Sequence, residues 1–213
     1  MPKITDMQIQ KNNKTRANVY LDGEFAFALE MVTVMKLGLK IGAEVSTQKL
    51  QEAVFDSEKS VAFGKAVDYL GRGSKTTAQM KKYLSGKGFE AEIVGYVVDK
   101  LEDYRYLDDQ TYAKNYAEQN SANKGTRRIK QELLQRGIDA ETAEVFSEQD
   151  GELCRQNAQK LAEKYMKNKP CDLKTVQKLQ RYLLSRGYDF DAVNAAIAPY
   201  KSKINGGGGD YED

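Results

Sequence analysis

A chain of 213 residues, 40% hydrophobic and 30% charged, is long enough for one large domain or several small modules, and no apolar run approaches the roughly 18–20 residues of a membrane span. Histidine is absent, which removes the commonest general base and metal ligand, and the start MPKITDMQIQKNNK carries no apolar export segment. Cys154 and Cys171 are therefore expected as reduced thiols of a cytoplasmic protein.

The N-terminal stretch TRANVYLDGEFAFALE (15–30) holds two β-type runs joined by Asp22-Gly23, a strong hairpin signal because both turn positions need positive φ. VTVMKLGLKIGAEVSTQKLQEAVF then reads as a short helix, a glycine-marked loop and a helix capped near Ser46 or Thr47. Beyond residue 60 one phrase recurs: YLSGKGFE (83–90), LLQRGID (133–139) and LLSRGYD (183–189). Its glycines, Gly88, Gly137 and Gly187, lie 49 and 50 residues apart. Leu84, Leu133 and Leu183 stand four residues before them, and Met80, Ile129 and Leu179 eight before, an apolar helical stripe. A basic residue precedes each glycine (Lys87, Arg136, Arg186), a large hydrophobe follows (Phe89, Ile138, Tyr188), then an acid (Glu90, Asp139, Asp189). This is a helix closed by a left-handed glycine, a hydrophobe folded back on its last turn, and an acid starting the next helix.

Helical patterns flank each corner: SVAFGKAVDYLG (60–71), DDQTYAKNYAEQN (108–120) and CRQNAQKLAEKYM (154–166) before, EAEIVGYVVDKL (90–101), DAETAEVFSEQ (139–149) and DFDAVNAAIAPY (189–200) after. The expected fold is mostly α: three tandem three-helix repeats in an elongated curved array, with a small N-terminal β-hairpin and helix extension. The expected boundaries are 1–60 for the extension, 61–107, 108–152 and 153–202 for the repeats, and 203–213 for a disordered glycine-rich acidic tail.

Charge is segregated along this plan. Lys and Arg against Asp and Glu number 8 and 8 over 1–64, 7 and 4 over 65–101, 7 and 11 over 102–150, and 11 and 4 over 154–203. Such asymmetry fits contact with an anionic partner, or a solvated surface with uneven pairing. The second helix of each repeat concentrates the bases. Lys75, Lys81 and Lys82 lie in the first, Lys124, Arg127, Arg128, Lys130 and Arg136 in the second, and Lys174, Lys178, Arg181 and Arg186 in the third. Facing solvent in register, they could line a groove for a helical polyanion. Tyr69, Tyr112 and Tyr116 fall at core-facing spacing, and packing is their expected role rather than base stacking. Asp108 and Asp109 could in principle hold a metal, but their place ahead of a helix fits capping better. GRGSKTT (71–77) lacks the spacing of a phosphate loop, and its Ser74 is expected to cap the helix that follows. A duplex-reading helix-turn-helix protein and a Mg²⁺-dependent nuclease built on Asp108 and Asp109 are the rival readings.

YLDDQTYAKNYAEQNSANKGTRRIKQELLQRGID (106–139) resembles the central signature of the RecX family, bacterial regulators of the RecA recombinase, and 66–101 and 173–197 resemble its first and third repeats. The chain departs from that pattern at Gln79 and Met80, where the family more often has Glu-Leu, and in its tetraglycine acidic tail. The resemblance implies a non-enzymatic monomer without metal or cofactor. It implies binding in the groove of the RecA filament on single-stranded DNA; duplex DNA is the alternative nucleic-acid partner. It also implies inhibition of RecA's ATPase, strand exchange and coprotease activities, and hence an effect on DNA repair, recombination and the SOS response.

Overall fold

Three antiparallel strands open the chain, β1 (Ile4–Ile9), β2 (Arg16–Leu21) and β3 (Glu24–Glu30), paired in that order in a computed structural model that describes residues 1–148 and 150–206. Asp22 and Gly23 take φ of 51° and 92°, so the β2–β3 hairpin turns as its sequence predicts. The third strand, β1, is an addition to the expected hairpin. Its register slips between Ile4 and Asp6, where Thr5 bulges out, and this erases the alternation that would announce a strand. The sheet buries Ile4, Val19 and Leu29 against α1 (Met31–Lys36) and α2 (Thr47–Leu70).

Helix α2 joins two helical stretches that the sequence shows separately, one starting near Ser46 or Thr47 and one over 60–71. It runs unbroken for 24 residues, so the boundary expected at residue 60 falls inside a helix. The polar stretch DSEKS (56–60) looks like a break, but it contains neither Pro nor Gly, and the helix continues through Gly64. After α2 come α3 (Thr77–Ser85) and α4 (Ala91–Asp103), then α5 (Asp109–Asn120), α6 (Thr126–Gln135) and α7 (Ala140–Ser147), then α8 (Gly151–Met166), α9 (Leu173–Ser185) and α10 (Phe190–Gly206). The fold is thus mostly helical, with three three-helix domains and a small sheet. Helix α10 reaches Gly206, so residues 203–206 are helical rather than part of a tail. The remainder of the expected tail, 207–213, lies outside the described residues. Among the described residues no helix is long and apolar enough to cross a membrane.

The chain divides into two units, one of residues 1–74 and 80–106, the other of 75–79 and 107 onward. In the first, α4 buries Ile93, Val97, Val98 and Leu101. In the second, α5–α7 enclose a small core of Ala113, Ile129, Leu133, Ile138 and Ala143. Helices α8–α10 enclose a larger one that includes Leu161, Leu179, Leu183, Val193 and Ile197.

The three corners are built alike. Gly88, Gly137 and Gly187 have φ of 87°, 83° and 87°. The next residue's N–H returns to the leucine carbonyl four residues before the glycine: Phe89 to Leu84 at 3.4 Å, Ile138 to Leu133 at 3.2 Å, Tyr188 to Leu183 at 3.3 Å. These bonds satisfy carbonyls a helix end leaves open, and the hydrophobe packs back as the sequence predicts. Asp139 and Asp189 then cap α7 and α10 through the Thr142 and Ala192 N–H groups, at 2.8 and 2.7 Å. Glu90 occupies the same position but makes no side-chain cap, since its carboxylate sits one methylene further out.

Tyr188 is fully buried, yet among the described residues its hydroxyl has no hydrogen-bond partner. Burial first, and the nearby Cys154, push its pKa up to about 12. An unpartnered buried hydroxyl is a cost the fold carries. Tyr188→Phe should therefore raise the unfolding free energy by about 1 kcal/mol, read from the urea midpoint at constant m-value; a loss of that size would show that the hydroxyl is satisfied.

Candidate nucleic-acid interface

The predicted bases do not behave as one set. Lys81 and Lys82 on α3, Arg127 on α6, and Lys174, Lys178 and Arg181 on α9 are exposed, and no ion pair engages them among the described residues. Lys75 is half-buried ahead of α3. Lys130 is half-buried and paired with Glu144 of α7.

Lys124 requires a correction. It was expected to face solvent at the start of its helix, but it turns inward, with 20% of its side chain exposed. Its Nζ donates to Glu132 Oε2 at 2.6 Å and to the Tyr116 hydroxyl at 3.1 Å. Tyr116 also donates to Glu132 Oε2, Arg128 Nε donates to Glu132 Oε1 at 2.8 Å, and Arg136 Nη1 donates to the Glu132 carbonyl at 2.8 Å. Glu132, the lone acid of this basic helix, thus gathers three of the five predicted bases. Burial alone would push its pKa up, but hydrogen bonds from Lys124, Tyr116 and Arg128 outweigh that and hold it at about 2. Burial likewise opposes the charge on Lys124, and its bonds to Glu132 and Tyr116 overcome this and raise its pKa.

The repeat register explains why an acid stands there. Five residues before the corner glycine the chain has Tyr83, Glu132 and Tyr182. Tyr83 stacks on Tyr69 with centroids 4.1 Å apart, and Tyr182 on Tyr165 at 4.9 Å. In the middle repeat a hydrogen bond from Tyr116 to Glu132 takes the place of that stack. The basic residue before each glycine lies over a tyrosine of its own repeat, on the same helix in the first and third and on the preceding helix in the second: Lys87 is 5.5 Å from the Tyr83 centroid, Arg136 4.4 Å from Tyr116, and Arg186 5.1 Å from Tyr182. Arg136 and Arg186 are half-buried for this reason, and cation–π contact occupies part of the charge the sequence reading assigned to solvent.

Within the second unit the corners also serve as joints. The Thr76 hydroxyl donates to the Arg136 carbonyl at 2.6 Å, and the Gly125 N–H donates to the Arg186 carbonyl at 3.0 Å. Thr76 and Gly125 both stand twelve residues before their own corner glycine, so the two bonds occur in register, a side-chain hydroxyl donating in the first and a backbone N–H in the second. Gly137 lies against Ala78, and Gly187 against the Arg128 backbone. Asn157 of α8 adds a bond from Nδ2 to the Ser121 carbonyl at 3.1 Å. The second joint sets α6 beside the α9–α10 corner, so Arg127 and Arg128 border Ser185, Gly187 and Phe190 across a crevice of about 510 Å³.

Asp108 and Asp109 are both committed to helix starts. Asp108 accepts from the Thr111 N–H at 2.8 Å and its hydroxyl at 2.7 Å, which caps α5 as expected. Asp109 reaches instead to the Thr77 N–H at 2.8 Å, at the start of α3. Thr76 caps α3: its hydroxyl accepts from the Gln79 N–H and the Gln79 side chain accepts from the Thr76 N–H, each at 3.2 Å. Among the described residues no group of three or more His, Cys, Asp and Glu is placed to hold a metal ion.

Four family models match in succession. "Regulatory protein RecX N-terminal domain" covers 2–46, and the first, second and third RecX three-helix domains cover 62–101, 108–145 and 154–197. The regulatory protein RecX of Clostridium botulinum (strain Alaska E43 / Type E3) is 31% identical over 92% of this chain and 95% of its own length. The chain belongs to the RecX family. The regulatory protein RecX of Clostridium perfringens (strain 13 / Type A) is 32% identical over the same shares. A crystal structure titled as regulatory protein RecX superposes with a TM-score of 0.65 at 27% identity, over 93% of this chain and all of that one. A RecX family chain is a regulatory protein rather than an enzyme, and the capping roles of Asp108 and Asp109 accord with that.

Proposed function

We propose that this chain regulates the RecA recombinase in the cytoplasm by binding the RecA filament on single-stranded DNA and restraining its ATPase, strand-exchange and coprotease activities, with consequences for recombination and the SOS response. The observation that carries the reading is the repeated exposure of unpaired bases on α3, α6 and α9 of a RecX-family chain. The contact set is Lys81, Lys82, Arg127, Lys174, Lys178 and Arg181, with Arg128 and Arg186 held at its edge by Glu132 and Tyr182. Lys124, Lys130 and Arg136 act behind it, by holding the helices in place, and Lys75 is half-buried ahead of α3. Exposed bases meet DNA phosphates or acidic RecA surface, and occupation of the groove blocks subunit motion or entry of the second strand.

The test is RecA's DNA-dependent ATPase titrated with this protein at two salt concentrations. Reversing Arg127, Lys178 and Arg181 to Glu should weaken inhibition at least tenfold at low salt. If the three meet single-strand phosphates, the logarithmic salt slope should fall by roughly two. Inhibition by the triple variant at the wild-type level and slope would place the interface elsewhere.

A further inference from the structure

The two joints of the second unit share the corner carbonyl that accepts their bond and not the side chains around it. At the second joint Arg127, Arg128 and Gln131 of α6 face Leu184, Ser185 and Phe190 across the crevice. The equivalent positions of the first joint, counted from the corner glycine, read Ala78, Gln79 and Lys82 against Leu134, Gln135 and Ala140. An arginine pair and an aromatic ring are therefore not what the joint itself requires.

Nor does the core require them. Phe190 is 61% exposed at the start of α10, where the other two repeats place alanine, Ala91 and Ala140. Arg127 is exposed with no ion pair among the described residues, while Glu132 fixes Arg128 through its Nε and leaves the guanidinium's outer edge available. The walls are themselves held, by the Gly125–Arg186 bond on one side and the Glu132 network on the other. A volume near 510 Å³ lies within the range of small-ligand sites.

We propose that this crevice holds one nucleotide of a single strand, its phosphate on Arg127 and Arg128 and its base against Phe190. The combination selects that ligand. Guanidinium groups bind phosphate oxygens through paired N–H donors. An exposed ring offers a stacking platform to any base, and Gln131 and Ser185 offer hydrogen bonds to a base edge or sugar. A duplex keeps its bases stacked and gives Phe190 nothing to bind. The assignment rests on the filament-binding reading and adds to it a site that contacts a base, not only charge.

The experiment measures binding of the full chain to a labelled oligothymidylate and to an abasic strand of equal length, by fluorescence anisotropy at two salt concentrations. Phe190→Ala should weaken oligothymidylate binding roughly fivefold to a hundredfold, the range for loss of one stacked base, and leave the abasic strand unchanged. Arg127→Gln should weaken both strands and lower the salt slope by about 0.7. Both residues are exposed, and unaltered circular dichroism and unfolding midpoints establish that the variants fold. Equal affinity of Phe190→Ala and wild type for oligothymidylate overturns the assignment. So does a Phe190→Ala variant that loses RecA inhibition while binding free strands normally, since the crevice would then take a protein segment. Failure of the wild type to inhibit RecA's ATPase is a separate result and overturns the filament reading itself.

Discussion

Replacing Gly187 with alanine should cost the protein roughly 3 kcal/mol or more of unfolding free energy, whereas the same change at Gly88 should cost about 1. Both glycines have φ of 87°, so both substitutions carry the strain of a side chain in left-handed backbone. They differ in what the new methyl group meets. At Gly88 there is nothing within 4 Å. At Gly187 the methyl would stand 2.8 Å from the Arg128 Cα and closer still to its N and Cβ, and a helix backbone held by the Gly125–Arg186 bond cannot give way locally. Gly137 meets the Ala78 Cβ and should fall between the two, because an alanine methyl can move more readily than a backbone. Urea unfolding of the three variants ranks them directly. Equal losses at Gly88 and Gly187 would show that the close approach at the second joint has no energetic weight.

The second large effect is at Glu132. Glu132→Ala should destabilise the protein by roughly 3–5 kcal/mol, because it leaves the Lys124 ammonium largely buried without its anion and strands the Tyr116 hydroxyl and Arg128. The same group sets an acid dependence. Its folded pKa of about 2 lies below its ordinary value of 4.5, so its stabilisation is fully present above pH 4.5 and is lost as pH falls toward 2. That shift corresponds to about 3 kcal/mol. Glu132→Gln should therefore be less stable than wild type at neutral pH, and the gap should narrow on acidification through that window. Curves that stay parallel from pH 5 to pH 2 would exclude Glu132 as the acid-sensitive group. Paired replacement of Glu132 by Tyr and Lys124 by Gln, which allows the aromatic stack of the other two repeats, should recover part of the loss.

These effects also mark how far the sequence could be read. The corner phrase was legible because one glycine has a local job, ending a helix, and local jobs leave local patterns. Its second job, admitting the N-terminus of another repeat's helix, leaves no mark at Gly187, since the neighbour that demands it lies some sixty residues earlier. The hairpin at Asp22-Gly23 was legible for the same local reason, and β1 was hidden by the bulge at Thr5. Among the site residues, exposure of Arg127, Lys178 and Arg181 follows from helical spacing. The inward turn of Lys124 does not, because it depends on where Glu132 and Tyr116 meet across two helices. One clue was available: Glu132 stands where both sister repeats have tyrosine, and an acid in an aromatic position needs a cation. Phe190 offered a similar clue against Ala91 and Ala140.

The bond from Thr76 to Arg136 and the bond from Gly125 to Arg186 run in the same sense, each from an earlier module to a later one. A head-to-tail contact of this kind joins two different surfaces, so each module uses one surface toward the module before it and another toward the module after. The third module has Thr175 at the donor position, and Asp172 already holds it, accepting its N–H at 2.6 Å and its hydroxyl as well. A single capping aspartate thus turns back into its own helix start the position that the other two modules direct at a neighbour.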